Sequence, residues 1–472
     1  MTTHAPAVAP MPFSWRLGIG VGIVALAGSV FAARPSFATE AGTDPKFLKV
    51  QAIAGIICFF SLCAMFSKNL RAVRLRTIVG GILLQFLFAM AVTHSEWVNG
   101  VFQAVGKAFK VMIACSDKGS EFVFGELAKP GEMEKVFGKD KGFIFAFKAL
   151  PPIIFVSALF TVLYYLGVLQ LLVKLFSRTM EYVMGTSGAE TLSVAANVFM
   201  GQTEAPLIVK PFVPKMTQSE LLALMGSGMA HISGGMMAVY ISYGADPASI
   251  LATCVMACPC SLYLTKLLLP EMEHPETMGG AKIDVPREHA NAIAAAAAGV
   301  KDGLMLALNV AAMLIGFLAF IALFDALLGG IKPQLVNAGV AAANLEWLSD
   351  DLSLRFIFGK LFYPVAMLIG VDSNEASKVG TLLGLKLAAN EHVAYLELKS
   401  MVAANEITER SKILTVYALS GFANFASVGI QLGGIGAIAE GRRADLARLG
   451  MRALFIGFLT TLINASVAAI IW

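Results

Sequence analysis

Carboxylate and amide side chains lie inside two stretches of this sequence that are otherwise apolar enough for a membrane. The stretch 185–213 contains Asn197 and Glu204, and the stretch 370–398 contains Asn390 and Glu391. Ionisable side chains are costly in hydrocarbon and by default mark functional sites. Carboxylates accept strong hydrogen bonds from a polar solute, and amide and carbonyl oxygens bind small hard cations. The two stretches are therefore predicted to bind a polar solute together with a cation.

The composition of the 472-residue chain indicates a protein that crosses a membrane several times. Apolar residues make up 57% and charged residues 14%, whereas soluble proteins average about 45–50% and about 25%. The net charge of +4 is small and dispersed, which excludes a nucleic-acid-binding protein. The six cysteines lie in or beside apolar stretches, so we expect free thiols rather than disulfides.

Eight stretches have the length of about 20 apolar residues that a transmembrane helix requires. They lie at 48–66, 76–93, 152–176, 221–243, 248–269, 303–325, 411–432 and 454–472. A further stretch, 17–33, is predicted to be either an extra N-terminal helix or a signal peptide. The periodicity of 98–112 predicts an amphipathic helix on the membrane surface. Basic residues at 68–76 and 442–452 place both loops in the cytoplasm.

The two polar stretches are related by an internal repeat. The first stretch contains Ala195-Ala196-Asn197, which recurs in the second as Ala388-Ala389-Asn390. At the same separation along the chain, Gly228-Met229-Ala230-His231 corresponds to Gly421-Phe422-Ala423-Asn424. Both stretches are too interrupted to cross a membrane as one helix. Non-helical backbone occurs within a membrane only where it is buried in protein or lines a cavity. Paired interrupted segments in two halves of a chain are typical of secondary transporters, which bind substrate and ion where the segments meet.

Three motifs resemble those of the concentrative nucleoside transporters. The stretch from Glu190 to Leu207, with Gly201-Gln202-Thr203-Glu204-Ala205-Pro206, resembles the first re-entrant hairpin of that family. Asn390-Glu391 followed by Val393-Ala394 is similar to the second hairpin, and Gly421-Phe422-Ala423-Asn424 with Ser427 resembles the penultimate core helix. The resemblance extends from the span at 48–66 to the end of the chain.

The resemblance implies an all-α polytopic membrane protein with eight core transmembrane helices, two opposed re-entrant hairpins in an inverted repeat and one interfacial amphipathic helix, usually as a homotrimer. It implies symport of nucleosides with a cation, Na⁺ or alternatively H⁺, without an organic cofactor and without enzymatic activity. The positions that match the substrate site of the family are Gln202, Thr203, Glu204, Glu391, Phe422, Asn424 and Ser427. Those that match its cation site are Asn197, Met200, His231 and Ile232.

Two histidines depart from the family pattern. His231 stands where the family has a small hydroxyl residue beside the cation, and an imidazole is bulkier and titrates near pH 6.5. Its ring either displaces sodium, binds a proton itself, or turns aside and leaves a backbone carbonyl in place. His392 follows Glu391 where an aromatic residue is usual, and we expect it to influence substrate choice.

Other functions fit the sequence less well. Cys258-Pro259-Cys260 is typical of soft-metal pumps, but the chain has no stretch large enough for their phosphorylation domain. An enzyme is not expected, because nucleophile-elbow and HExxH motifs are lacking. The alternative within transport is a carrier of nucleobases or another small polar solute. Glu391, Asn424 and Ser427, which match ribose-binding positions, favour nucleosides.

Five parts of the chain are predicted to have different roles in a multi-pass protein of the plasma membrane, which is the inner membrane in bacteria. Residues 1–46 form an N-terminal extension, and 47–145 contain the first core helices and the interfacial helix. Residues 146–285 form the first repeat, 286–345 link the repeats through a scaffold helix, and 346–472 form the second repeat with the C-terminal helices.

Overall fold

The computed structural model describes residues 12–33, 38–39, 42–138, 142, 144–279, 289–338 and 352–471. The expected domain boundaries near 285 and 345 lie outside these residues. The described parts form 21 α-helices, a few short 3₁₀ turns and one antiparallel pair of two-residue strands, Ala38–Thr39 and Gly42–Thr43.

The helices are numbered in chain order. The first ten are α1 Phe13–Ala33, α2 Pro45–Met65, α3 Leu75–His94, α4 Glu96–Phe124, α5 Pro130–Phe137, α6 Phe145–Lys148, α7 Leu150–Tyr165, α8 Val168–Met184, α9 Gly188–Ala196 and α10 Ala205–Ile208. The remainder are α11 Gln218–Ala230, α12 Gly234–Ser242, α13 Pro247–Leu268, α14 Ala292–Asn337, α15 Leu354–Leu361, α16 Tyr363–Leu368, α17 Ser373–Ala388, α18 Glu391–Ala403, α19 Glu409–Leu419, α20 Phe425–Ile438 and α21 Arg443–Ile471.

Eight helical stretches in the described residues are long and apolar enough to cross a membrane, so this is an all-α multi-pass membrane protein. Seven of them contain or overlap a predicted span, and the eighth is the N-terminal stretch 14–33, which forms a helix packed on α2. The amphipathic segment predicted at 98–112 belongs to the longer helix α4. The span at 303–325 lies within α14, which is 46 residues long and packs along α7.

Two predicted spans are broken in the middle. The stretch 221–243 divides into α11 and α12 around His231, Ile232 and Ser233. The two helices together cover 25 residues, which is still long enough to span a membrane. The stretch 411–432, predicted as one span, is instead two short helices, α19 and α20, separated at 420–424. Ser233 and Asn424 each accept a hydrogen bond from the backbone three residues later, so these side chains restart the helix.

The span predicted at 152–176 is also too long. Its helix α7 ends at Tyr165, and Gly167 adopts a left-handed conformation with φ of +86° before α8 begins. A residue with a Cβ atom is disfavoured at that φ, so glycine makes the turn between the two helices. Helix α8 then leads into the first interrupted stretch.

The two interrupted stretches form helical hairpins that begin at opposite ends of α2. Hairpin 1 consists of α9, a non-helical tip at 197–204, and α10; hairpin 2 consists of α17 and α18. Met184, just before hairpin 1, accepts a hydrogen bond from Thr77 near the start of α3, whereas Asp372 at the start of hairpin 2 accepts one from Thr43 before α2. Since α2 and α3 are joined by the basic loop at 68–74, the positive-inside rule predicts that hairpin 1 starts on the cytoplasmic side.

Two helices of the first repeat, α9 and α11, begin with the same kind of cap. Ser187 with Glu190 and Thr217 with Glu220 form capping boxes at α9 and α11. The Lys266 ammonium lies 2.7 Å from a Glu190 carboxylate oxygen in an almost fully buried ion pair. This pair ties the base of hairpin 1 to the end of α13.

Candidate functional site

The tips of the hairpins and the breaks of the two helix pairs meet in the middle of the protein. The backbone N–H of Phe422 in the second break donates to the carbonyl of His231 in the first, at 3.1 Å. Gly421 permits this approach, because a Cβ atom there would lie 3.0 Å from the carbonyl oxygens of Met229 and Ala230. The two breaks that the repeat relates are therefore in direct contact.

Glu391, at the start of α18, is held on both carboxylate oxygens. Tyr240 on α12 donates its hydroxyl to Oε1 at 2.9 Å, and the Asn424 amide donates to Oε2 at 3.0 Å. Asn424 in turn accepts the backbone N–H of Ser427 at 2.9 Å. Asn424 is thus the cap of α20 rather than a residue within a helix, and capping is what brings it next to Ser427. Glu391 is 4% exposed, so its charge depends on these donors.

Gln202 connects hairpin 1 to this group. Its Nε2 donates to the Ser427 hydroxyl at 3.2 Å, and its buried Oε1 has no protein partner. An unpaired acceptor in a buried position is unfavourable unless a ligand or water satisfies it. The neighbouring residue, Thr203, packs against Gly434 on α20, where a Cβ atom would lie 2.6 Å from its methyl carbon. Gln202 and Thr203 at the tip of hairpin 1 therefore both face α20.

Glu204 points to a cavity on the other side of the tip. Its Oε2 accepts the backbone N–H of Gly201 at 3.0 Å. The cavity has a volume of about 140 Å³ and lies between hairpin 1, α12, α7 and α14; Met200, Ser233 and Asp302 also line it. Glu204 is thereby placed at the boundary between the hairpin and the α7–α14 pair.

Asn197 presents a free oxygen at the tip of hairpin 1. Its Nδ2 donates to the Ser193 carbonyl at 3.2 Å and to the Ser227 hydroxyl at 3.1 Å. Both amide hydrogens are therefore used, which fixes the orientation of the amide. Its Oδ1 is buried without a protein partner, and the side chain is only 1% exposed. A buried amide oxygen of this kind is a suitable ligand for a small cation.

The imidazole of His231 is turned toward protein groups. Nδ1 lies 2.8 Å from the Ser227 carbonyl, which can only accept, so Nδ1 carries the proton. Nε2 lies 3.4 Å from the sulfur of Cys258. Both ring nitrogens therefore have protein partners. Ile232 is fully buried in the same break, whereas Met200 is partly buried and lines the cavity.

Phe422 and His392 border the site in different ways. Phe422 is partly buried and packs on the apolar core, with its backbone held by His231. The Nε2 of His392 lies 3.0 Å from the Tyr243 hydroxyl, and its ring meets Phe145 edge-on with centroids 5.2 Å apart. His392 is therefore part of an aromatic cluster behind Glu391.

Three polar side chains near the site were not identified as site residues from the sequence: Tyr240, Cys258 and Lys386. Tyr240 bonds Glu391 and stacks on Tyr395 at a centroid distance of 4.1 Å. A tyrosine or lysine within an apolar stretch needs a polar partner, and that requirement is a signal the sequence does contain. The identity of the partner is not in the sequence.

Models of the Na⁺-dependent nucleoside transporter family match most of the chain. The C-terminal model matches residues 249–469, the N-terminal model matches 54–127, and a nucleoside recognition model matches 146–247. An uncharacterized transporter of Haemophilus influenzae is 40% identical over 89% of this chain and 97% of its own. Sodium/nucleoside cotransporter 1 of Mus musculus is 39% identical over 89% of this chain; the match covers 63% of that longer protein.

Solved structures of the transporter CNTnw have the same fold. Its inward-facing, substrate-bound structure has a TM-score of 0.82 and 36% identity, covering 90% of this chain and 98% of that chain. An outward-facing structure of a CNTnw double variant has a TM-score of 0.83 and 35% identity, with the same coverage. Together with the hairpins and paired breaks, these similarities lead to one conclusion: the chain belongs to the Na⁺-dependent nucleoside transporter family.

Proposed function

We propose that this protein imports nucleosides by symport with sodium across the plasma membrane. The observation that supports this most directly is the connected group formed by Glu391, Asn424, Ser427 and Gln202, which lies where both hairpins and both breaks meet. A nucleoside is neutral, with a diol at one end and a flat donor–acceptor edge at the other. A carboxylate beside amides and a hydroxyl matches both ends.

In this proposal each end of the nucleoside has its own residues. Glu391, Asn424 and Ser427 bind the ribose hydroxyls, with Phe422 packing beside them. Gln202 and Thr203 bind the base edge, using the unpaired Oε1 of Gln202. Glu204 binds the base from the cavity side of the hairpin tip. Because the carboxylate of Glu391 has further lone pairs beyond its two protein bonds, it can accept from the ribose as well.

The proposed sodium site combines the tip of hairpin 1 with the first break. Asn197 contributes its free Oδ1, and Met200, His231 and Ile232 complete the site, some of them through backbone carbonyls. The site lies next to the ribose group, since the carbonyl of His231 holds the backbone of Phe422. Sodium binding therefore orders the same break that borders the substrate, which is the physical basis we propose for coupled transport.

We further propose a homotrimer in which two kinds of units move relative to each other. Residues 47–145 and 286–345 form the scaffold, and the repeats at 146–285 and 346–472 carry the substrate and ion across it. The long helix α14 packs along α7 and exposes large apolar side chains such as Ile315 and Phe320, which suits contact with lipid or with another subunit.

Uptake into proteoliposomes tests the proposal. Labelled uridine and adenosine are offered with an inward sodium gradient and, separately, a proton gradient at matched membrane potential. We expect sodium-driven accumulation by the wild type and a loss of at least about tenfold in Glu391→Gln, because one charged acceptor is lost from a buried site. Glu397→Gln is the matched control, since that side chain pairs with Arg355 at a more exposed position and is expected to transport normally. Uptake of neither nucleoside under either gradient would contradict the proposal and favour nucleobases.

A further inference from the structure

Lys386 is a fully buried lysine in the last turn of α17, one turn before the tip of hairpin 2. Its ammonium donates to the carbonyl of Ala418 at 2.8 Å and to the Thr461 hydroxyl oxygen at 2.8 Å, and it lies over the Phe458 ring at 5.6 Å. Within the described residues, the ion pairs at 4.0 Å or less do not include Lys386. A buried charge without a contacting counter-ion is costly, so its presence requires an explanation.

The surroundings of Lys386 provide acceptors for an ammonium group. Thr461 donates its own hydroxyl hydrogen to the Phe458 carbonyl at 2.9 Å, so its oxygen acts as an acceptor toward Lys386. The nitrogen thus faces two oxygen acceptors and one aromatic face, which match the three hydrogens of an ammonium.

The carbonyl that Lys386 binds lies at the end of a half-helix in the second repeat. Ala418 is in the last turn of α19, just before the break that contains Asn424. The carbonyl end of a helix has a partial negative charge, so a cation there is favourable. In the first repeat the equivalent carbonyl, that of Met225 on α11, accepts a neutral amide hydrogen from Gln431 at 2.9 Å. The position that corresponds to Lys386 is Ser193, which is uncharged.

The asparagines at the tips of the two hairpins also differ between the repeats. Asn197 in the first repeat has a free buried Oδ1 beside the end of α11. Asn390, its counterpart, uses Oδ1 to accept the backbone N–H of Val393 at 2.9 Å and caps α18. The first repeat thus has an oxygen available for an ion and no fixed charge, whereas the second has a fixed charge and uses its asparagine as a helix cap.

We propose that Lys386 is a tethered cation that has, in the second repeat, the role that the coupling sodium has in the first. It is a positioning residue: its ammonium holds the end of α19 against hairpin 2 and the last helix, and so fixes the break that presents Asn424 to Glu391. Hairpin 2 consequently needs no ion of its own, and ion dependence is confined to hairpin 1. The assignment of the sodium site rests on the proposed function.

Three variants test this role in proteoliposomes and in detergent. Lys386→Met keeps the volume and removes the charge, Lys386→Arg keeps a charge, and Lys386→Ala leaves a space. For Lys386→Met we expect the KM for uridine to rise by about tenfold or more while the sodium concentration for half-maximal activation stays the same, since the sodium site is in the other repeat. Lys386→Arg is expected to retain a KM closer to that of the wild type.

Ammonium rescue separates charge from packing. We expect ammonium or methylammonium chloride to raise the thermal stability and uridine uptake of Lys386→Ala, but not of Lys386→Met, whose side chain fills the space. A wild-type KM in Lys386→Met would overturn the proposal. The proposal would also be overturned if the Met and Arg variants raised the KM for uridine equally. A third contrary result would be a Lys386→Ala protein whose stability and uptake ammonium raises no more than sodium does. Thermal stabilisation by ammonium needs no nucleoside, so it stays informative even if the wild type fails to transport nucleosides.

Discussion

The free amide oxygen of Asn197 leads to a quantitative expectation for sodium binding. Its Nδ2 hydrogens are both used within the protein, so Oδ1 is the atom available to a cation. Replacing Asn197 by alanine removes that ligand. A hydrogen bond to a charged group contributes about 1.5–3 kcal/mol. A contact of that size between the amide oxygen and sodium corresponds to an increase in the sodium Kd of about 10- to 150-fold.

Thermal or denaturant unfolding in detergent measures this change through linkage. At a sodium concentration of 100 times Kd, a single site stabilises the folded protein by about 2.7 kcal/mol. If the Kd rises 10- to 150-fold, the same concentration stabilises Asn197→Ala by only about 0.3–1.4 kcal/mol. Potassium chloride at equal ionic strength is the reference, so that the comparison isolates the sodium-specific part.

The loss of two hydrogen bonds will also lower the sodium-free stability of Asn197→Ala, so the relevant quantity is the sodium-induced shift. Asn390→Ala is the matched control because the repeat relates the two residues. Asn390 caps α18 through Val393, and losing that cap should cost about 0.5–2 kcal/mol in any salt. Its sodium-induced shift should equal that of the wild type. If sodium stabilised Asn197→Ala as much as it stabilises the wild type, the assignment of Oδ1 as a sodium ligand would be refuted.

Three further substitutions have defined outcomes. Tyr240→Phe removes the hydroxyl that holds Glu391 and should weaken nucleoside binding about tenfold in a binding titration; unchanged affinity would show that this bond does not position the carboxylate. His231→Ser should retain sodium-driven uptake in proteoliposomes, because the ring has its partners on Ser227 and Cys258; loss of sodium dependence would make the ring itself a ligand. Lys266→Met leaves Glu190 buried without its partner and should lower the free energy of unfolding by about 3–5 kcal/mol in denaturant titrations; a change below about 1 kcal/mol would contradict that.

Hydrophobicity alone was sufficient to locate the membrane helices but not their interruptions. The stretches at 221–243 and 411–432 are apolar enough on average to be predicted as spans, and the average hydrophobicity of a stretch does not depend on whether its helix is continuous. Ser233 and Asn424 cap the helices that follow the breaks through local hydrogen bonds. The two breaks also contact each other through Phe422 and His231, and hydrophobicity does not reveal that contact. The turn at Gly167 was likewise not predicted, because a glycine is compatible with both a helix and a turn.

Local composition and motif spacing were enough to identify a multi-pass membrane protein, its family resemblance and its internal repeat, because these are properties of the sequence itself. Which of the polar residues touch depends on how the helices pack. The bond from Tyr240 to Glu391 joins the first repeat to the second, and the ring of His231 is directed by Cys258 on another helix. Such contacts depend on how distant helices pack, and a one-dimensional pattern does not encode the direction in which a side chain finds its partner.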